Sequence, residues 1–429
     1  MNNAPAPARG TYADGFEPVV RTFAAHLASR AEIGAALTVY HRGERVVHLH
    51  GGLASIERAT PFTDRTRTVL YSVTKGLASM ALSKLADRGA LDFDAPVATY
   101  WPGFAQGGKS AITVGQLVSH RAGLPVLDDP LSLAEHANPG GRGRLVEAME
   151  RQRPLWEPGR TQGYHATTFG MYVRELVERI AGEPIGALLA REFFEPLAAD
   201  VSLGTPPGED HRIAAVYAPS MVQRLAGMTA ALARRAAGRE EPLTEWRMLG
   251  AALDRGGLAR RALLEPHAPR GIVSYAEPAI WRALLAWVTA TGTADGVARA
   301  YLPFALSGQV EGRRYLADRT ILPLYERSSW SKRDAVLQKP LGWTRGFLKD
   351  EPHLFSPVRE SFGHAGTGGS LGWCDPVNGL TIGYVMNRLD WHVRSPRAIA
   401  LCRALYACAP VRDHRSRQES VSLRPARGP

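Results

Sequence analysis

The chain has 429 residues, 45% of them hydrophobic and 22% charged, with a formal net charge of +11. That length buries a large core and fits one or two domains, while no apolar run approaches the roughly 20 residues that a membrane span needs. The three cysteines (Cys374, Cys402, Cys408) are too few and too clustered for a disulfide framework.

The Pro- and Ala-rich start, residues 1–15, reads as a flexible leader without the basic-then-apolar pattern of a secretory signal. A cytoplasmic location with no membrane partner is therefore expected. Residues 16–30 have helical period through Phe16, Val19, Val20, Phe23 and Leu27. The runs 34–41 and 44–50 flank Arg42-Gly43 as a β-hairpin with a two-residue turn. His48 and His50 share one face of its second strand, with no third ligand near them, so no metal site is expected. A helix then opens near Ser72 and stops at Gly89. Residues 111–300 read mainly as helices and long connections, and 221–270 are Ala- and Arg-rich. Strands return at 361–366, 369–374 and 380–386, the last two joined by Asn378-Gly379, and a helix covers about 394–408. The basic end, 410–429, reads as a disordered tail. Arg residues elsewhere mostly alternate with acids on helix faces, as in Arg174-Glu-Leu-Val-Glu178, so no specific nucleic-acid partner is expected.

This order predicts an α+β fold. An antiparallel sheet is built from 16–110 and 301–409, with a helical domain, 111–300, inserted between them.

The chemistry centres on Ser72-Val-Thr-Lys75. Positions i and i+3 of a helix share a face, and an amine beside a hydroxyl can activate it as a nucleophile. The string recurs at Ser329-Trp-Ser-Lys332, in a polar stretch without apolar period that reads as exposed loop. Tyr164 lies in a turn-rich segment before a helix and can project into a cleft. His364 lies in Gly363-His-Ala-Gly-Thr-Gly-Gly-Ser370, where glycines permit close backbone approach to a ligand.

Tyr71-Ser-Val-Thr-Lys75, Ile112-Thr-Val-Gly-Gln-Leu-Val-Ser-His-Arg-Ala-Gly-Leu-Pro125, Tyr164-His-Ala166, Glu195-Pro-Leu197 and His364-Ala-Gly366 occur in an order that resembles the serine β-lactamase and penicillin-recognising hydrolases. The closest likeness is to the class C-like branch that includes carboxylesterases, and it spans roughly residues 16–408. The resemblance implies a β-lactamase/transpeptidase-like fold with the site between sheet and helical domain. It implies Ser72 as nucleophile, Tyr164 as general base, and Lys75 as a cation that depresses the phenol's pKa. It implies an oxyanion hole from the backbone N–H groups of Ser72 and Thr367. Tyr71, His165, His364, Ala365, Gly366 and Trp373 would surround the substrate, with no cofactor. Two departures narrow the substrate. Ala166 stands where β-lactamases of this branch carry Asn, and His364 where they carry the Lys of K-T-G. Both remove groups that orient an anionic β-lactam. A serine carboxylesterase acting on short- to medium-chain acyl esters, neutral and fairly apolar, is expected. Acyl transfer, amide hydrolysis, weak β-lactam hydrolysis and a catalytically silent binding protein remain alternatives. The oligomeric state is unknown.

Overall fold

The computed structural model describes residues 7–237, 244–254, 256–349 and 354–412. Its centre is a ten-stranded antiparallel sheet. The strands are β1 (Arg9–Tyr12), β2 (Gly34–His41), β3 (Glu44–Ser55), β4 (Thr60–Pro61), β5 (Ser329–Ser331), β6 (Leu341–Thr344), β7 (Phe347–Lys349), β8 (Phe362–Ala365), β9 (Leu371–Asp375) and β10 (Leu380–Met386). The spatial order is β1-β3-β2-β10-β9-β8-β7-β6-β5, with β4 beside β3. The two ends of the chain meet where β2 pairs with β10, from Leu380 opposite His41 to Met386 opposite Ala35. β2 is almost wholly buried and reads as a near-continuous apolar run because both faces of the sheet are covered there.

Helices α1 (Glu17–Ala28), α2 (Val73–Asp87), α3 (Thr168–Ala181), α4 (Met221–Ala236), α5 (Thr244–Leu253), α6 (Leu258–Leu264), α7 (Ala294–Ala300) and α8 (Pro396–Tyr406) complete the frame used below. α1 packs on α8, while α7 lies on β2 and β10. α2 threads between β8 and α3, and its buried side chains run almost without interruption from Val73 to Leu85. Its end follows the sequence signal. Gly89 has φ +70°, and the Ala90 N–H reaches back to the Leu85 carbonyl, a Schellman closure that satisfies an otherwise orphaned acceptor. The hairpin turn also falls at Arg42-Gly43, between the paired residues His41 and Glu44.

Four segments depart from expectation. Within 1–15, Arg9–Tyr12 pair with β3, Arg9 opposite His50. All four residues are exposed, so backbone pairing holds this edge strand and no hydrophobic pattern announces it. Ser329–Ser331 is a strand on the opposite edge rather than a loop. Ser329 is buried and its hydroxyl donates to the Ser119 carbonyl. Near the end of 111–300, Ala290–Gly292 pairs with Thr68–Val69 and Val201–Leu203 in a small second sheet. α7 follows it on the large sheet, because its face of Ala294, Val297 and Ala298 is buried against β2 and β10. At the chain's end Val411 is buried, so packing continues past 409. Residues 413–429 of the expected tail lie outside the described residues.

Candidate active site

Tyr71 takes φ +49° immediately before α2. This left-handed turn is costly for a bulky residue, and it swings Ser72 onto the first step of the helix. A serine there commonly caps the helix, but the Ser72 hydroxyl makes no capping bond. It stands between two other groups. Lys75 Nζ lies 3.1 Å from Ser72 Oγ, and Tyr164 OH donates to the same oxygen over 3.1 Å. Lys75 is not a solvated surface lysine: it is 1% exposed. Its amine also donates to the Trp287 carbonyl at 3.1 Å and sits 5.2 Å from the centre of the Tyr164 ring.

The protonation states overturn one expectation. Burial pushes Lys75 well below the usual lysine range. Burial pushes Tyr164 up to about 12, a rise that its bond to Ser72 and the Arg394 charge only partly oppose. The phenol is therefore not depressed by an adjacent ammonium. A low-dielectric site disfavours both charged forms, the ammonium of Lys75 and the tyrosinate of Tyr164 alike. Tyr164 O–H and Lys75 Nζ both donate to Ser72 Oγ, and Lys75 Nζ donates as well to the Trp287 carbonyl.

Tyr164 sits on an irregular loop, yet its backbone is tightly held. Three consecutive N–H groups have fixed acceptors. Gly163 donates to the His120 carbonyl at 3.0 Å, Tyr164 to Asp334 Oδ1 at 3.0 Å and His165 to His120 Nδ1 at 3.0 Å. Buried Asp334 also accepts from the N–H groups of Val336 and Leu337, both at 2.9 Å. The Tyr164 ring stacks on Trp343, with centroids 5.6 Å apart and planes 7° from parallel. His120 meets that indole at 4.0 Å, edge-on, and also lies 5.1 Å from the Tyr164 ring. Its Nε2 has no hydrogen-bond partner among the described residues, and an N–H directed at the π face suits this geometry.

On β8, His364 Nδ1 lies 2.9 Å from the Ala365 carbonyl, which assigns the proton to Nδ1 and leaves Nε2 as an acceptor. Burial, followed by the Lys75 charge, pushes its pKa well below the ordinary histidine value. Gly366 is required by close approach: a Cβ there would stand 2.0 Å from Ser370 Oγ and 2.6 Å from the Leu70 carbonyl. The peptide N–H groups of Ser72 and Thr367 have no acceptor among the described residues. Their two segments meet at one cavity of about 330 Å³, lined by Tyr71, Ser72, Lys75, Tyr164, His364, Ala365, Gly366 and Thr367.

Two residues expected at the substrate lie elsewhere. His165 is fully buried with both ring nitrogens engaged, accepting from Leu124 N–H at 3.1 Å and bonding the Gly163 carbonyl at 2.7 Å. It shapes the Tyr164 loop. Trp373 is 1% exposed and packs on Phe355 within the core, because alternation along β9 turns it away from the cavity. The aromatic wall is Trp343 instead, on β6. Trp343, Asp334 and the Trp287 carbonyl escaped sequence reasoning, since none belongs to a local pattern. His120 had a signal, being inside the quoted 112–125 block. Part of the remaining wall comes from Arg224 of α4, Met248 of α5, Leu263 of α6 and the 389–394 loop including Arg394, and part from Ile272, Tyr275, Val288 and Leu337. Among the described residues, no group of three or more His, Cys, Asp or Glu is placed to hold a metal ion. His48 instead bonds Thr38 at 3.0 Å.

Residues 19–405 match the family described as Beta-lactamase. Among curated proteins, the chain is 32% identical over 381 residues to the esterase/beta-lactamase LipL of Mycobacterium tuberculosis, covering 87% of this chain and 81% of that protein. Among solved structures, a family VIII carboxylesterase superposes with a TM-score of 0.79 at 30% identity, covering 94% of this chain and 99% of the other. A penicillin-binding protein homologue from Caulobacter crescentus gives the same TM-score, identity and coverage.

Proposed function

The chain belongs to the Beta-lactamase family, and from that footing we propose that it hydrolyses carboxylic esters through an acyl-serine at Ser72. The observation that carries this reading is Ser72 Oγ held 3.1 Å from both Lys75 Nζ and Tyr164 OH at the wall of a cavity. The names of the relatives, an esterase/beta-lactamase and a family VIII carboxylesterase, support the choice of ester.

In this reading the neutral amine of Lys75 takes the Ser72 proton as Oγ bonds to the ester carbonyl carbon. The N–H groups of Ser72 and Thr367 receive the developing oxyanion, each donor lowering the barrier by about 3 kcal/mol. The carbonyl re-forms as the C–O bond to the alcohol breaks. Tyr164 gives its proton to the departing alkoxide and is reprotonated from Lys75. Water then attacks the acyl carbon while the same two groups remove its proton. Ser72 Oγ departs with a proton, and the carboxylic acid leaves. This route calls on Lys75 in its neutral form as Oγ attacks, a form that burial favours.

His364 supports a neutral substrate. An imidazole with a bare Nε2 and a depressed pKa offers an acceptor where a lysine would offer a cation, so a carboxylate gains nothing there. Ala166 also lines the cavity and brings no amide.

The test is intact-protein mass after brief exposure to a p-nitrophenyl ester and, separately, to a fluorophosphonate. One adduct on the natural chain and none on Ser72→Ala is expected. An unmodified natural chain, or equal labelling of the variant, overturns the reading. Nitrocefin turnover is expected to be far slower than ester turnover, and rapid turnover would reverse the roles assigned to Ala166 and His364.

A further inference from the structure

The turn between β8 and β9, residues 366–370, carries the Thr367 N–H, yet its own residues do little to hold it. Gly368 and Gly369 have φ +86° and +129°, conformations that glycine adopts without steric cost, and two adjacent glycines give the turn wide freedom. The direction of the donor is fixed from outside, through two peptide planes. Within a planar trans peptide the C=O and N–H point in opposite directions, so holding one end aims the other. The Gly366–Thr367 peptide presents the Thr367 N–H on one side. On the other side its Gly366 carbonyl accepts from Gly369 N–H at 3.1 Å. That N–H belongs to the Gly368–Gly369 peptide, whose carbonyl is held twice, by Asp390 N–H at 2.9 Å and by Arg397 Nη2 at 3.0 Å.

Arg397, near the start of α8, is 7% exposed and does not line the cavity. Nη2 also donates to the Arg388 carbonyl at 2.8 Å, and Nη1 donates to the Ala31 carbonyl at 2.8 Å and to Glu32. Nε lies 3.5 Å from Asp390 Oδ2. Glu32 is 3% exposed and accepts as well from the Tyr384 hydroxyl on β10. One planar cation therefore ties the 366–370 turn and the head of the 389–394 loop to the middle of the sheet. Neutralising Glu32 does not require the bonds to the Gly368 and Arg388 carbonyls. A lysine could meet the charge, but its ammonium lacks the rigid fork that reaches all of these acceptors.

We propose that Arg397 is a positioning residue for the oxyanion hole: by holding the Gly368 carbonyl it aims the Thr367 N–H at the oxygen of the carbonyl that Ser72 attacks. The proposal rests on the acyl-serine reading. The bond from Thr367 to that oxygen strengthens as negative charge develops there, so loss of aim lowers kcat and leaves KM nearly unchanged.

The experiment compares the natural chain with Glu32→Gln, Arg397→Lys and the double variant Glu32→Gln/Arg397→Met. Arg397→Lys keeps the charge and loses the fork. The double variant removes both buried charges together, so neither is left unpaired. Glu32→Gln removes the counter-ion and keeps the fork on Gly368. The readouts are Tm, kcat and KM for p-nitrophenyl butyrate, and Ki for a pentyl trifluoromethyl ketone. In the ketone adduct Ser72 Oγ bonds to the carbonyl carbon, the π electrons move onto oxygen and the serine proton passes to Lys75, so a full oxyanion occupies the hole. Arg397→Lys and the double variant are expected to lower kcat by about 30-fold, less than the roughly 10²- to 10³-fold cost of losing a donor outright. KM should stay within about twofold, and Ki should rise by the same factor as kcat falls. Glu32→Gln should lower Tm and keep kcat and Ki within about threefold. Natural kcat and Ki in either Arg397 variant overturn the proposal. So does a loss in Glu32→Gln equal to that in the double variant, since Arg397 would then serve the core alone. A natural chain that neither hydrolyses the ester nor binds the ketone breaks the acyl-serine reading, and the proposal with it.

Discussion

The cavity has two walls of opposite character. The wall bearing Ser72, Lys75, Tyr164 and His364 is buried and held at every step: Tyr164 alone is fixed by three adjacent backbone bonds and an indole stack. The wall formed by α4, α5 and α6 leaves six large apolar side chains exposed. One side-chain bond, from Trp246 Nε1 to the Met228 carbonyl at 3.1 Å, ties α5 to α4, and another, from Val393 N–H to Glu245, ties α5 to the 389–394 loop. Reaction geometry requires positions held to fractions of an ångström, and only a dense core supplies that. Choice of substrate requires shape and access, which a lightly attached cap can vary without disturbing the chemistry.

Substitutions on the first wall should cost the most. Ser72→Ala is expected to lower kcat for p-nitrophenyl butyrate by about 10⁴-fold or more. Its Tm should stay within about 2 °C, because the hydroxyl caps nothing; a large fall in Tm would return Ser72 to a structural role. Lys75→Arg keeps a cation and removes a base, since a guanidinium does not lose its proton. About a 10³-fold loss is expected, and near-natural activity would restore the assignment of Lys75 as a simple positive charge. The pH profile tests the same point. With a neutral lysine as base, kcat/KM rises as Lys75 loses its proton and then stays level until Tyr164 ionises near 12. A rate that climbs steadily toward pH 12 would identify the tyrosinate as base. Tyr164→Phe is expected to lower kcat by about 10² to 10³, in the range of a general acid.

The second wall should respond weakly and selectively. Met248→Ala is expected to shift the preferred acyl chain toward longer esters, by roughly 5-fold in the ratio of kcat/KM for octanoate over acetate, as removal of a few methylenes from a pocket permits. Thermal stability and the reaction with acetate should barely move. A loss shared equally by all chain lengths would mean that the cap supports the chemistry after all.

Much of the first wall was legible in the sequence because its signals are local or serial. The i, i+3 placement of Ser72 and Lys75, the Gly89 stop and the Arg42-Gly43 turn follow from backbone geometry within a few residues. The order of the Ser72, Tyr164 and His364 segments supplied the fold. The edge strands β1 and β5 were not legible: β1 is exposed throughout and held by backbone pairing, and β5 is three polar-flanked residues whose buried Ser329 is held by a hydroxyl bond to the Ser119 carbonyl, so neither carries an apolar alternation to read.

Ser72, Lys75, Tyr164 and His364 could therefore be named from the chain alone, and so could the antiparallel sheet joining its two ends. Tertiary structure decided what those residues are electrically. Desolvation is set by everything packed around a group, so only the fold could push Lys75 well below the usual lysine range and raise the Tyr164 phenol to about 12. It also decided which aromatic forms the wall: Trp343 rather than Trp373, because a strand's alternation names two faces and only the assembled sheet says which one meets the cavity.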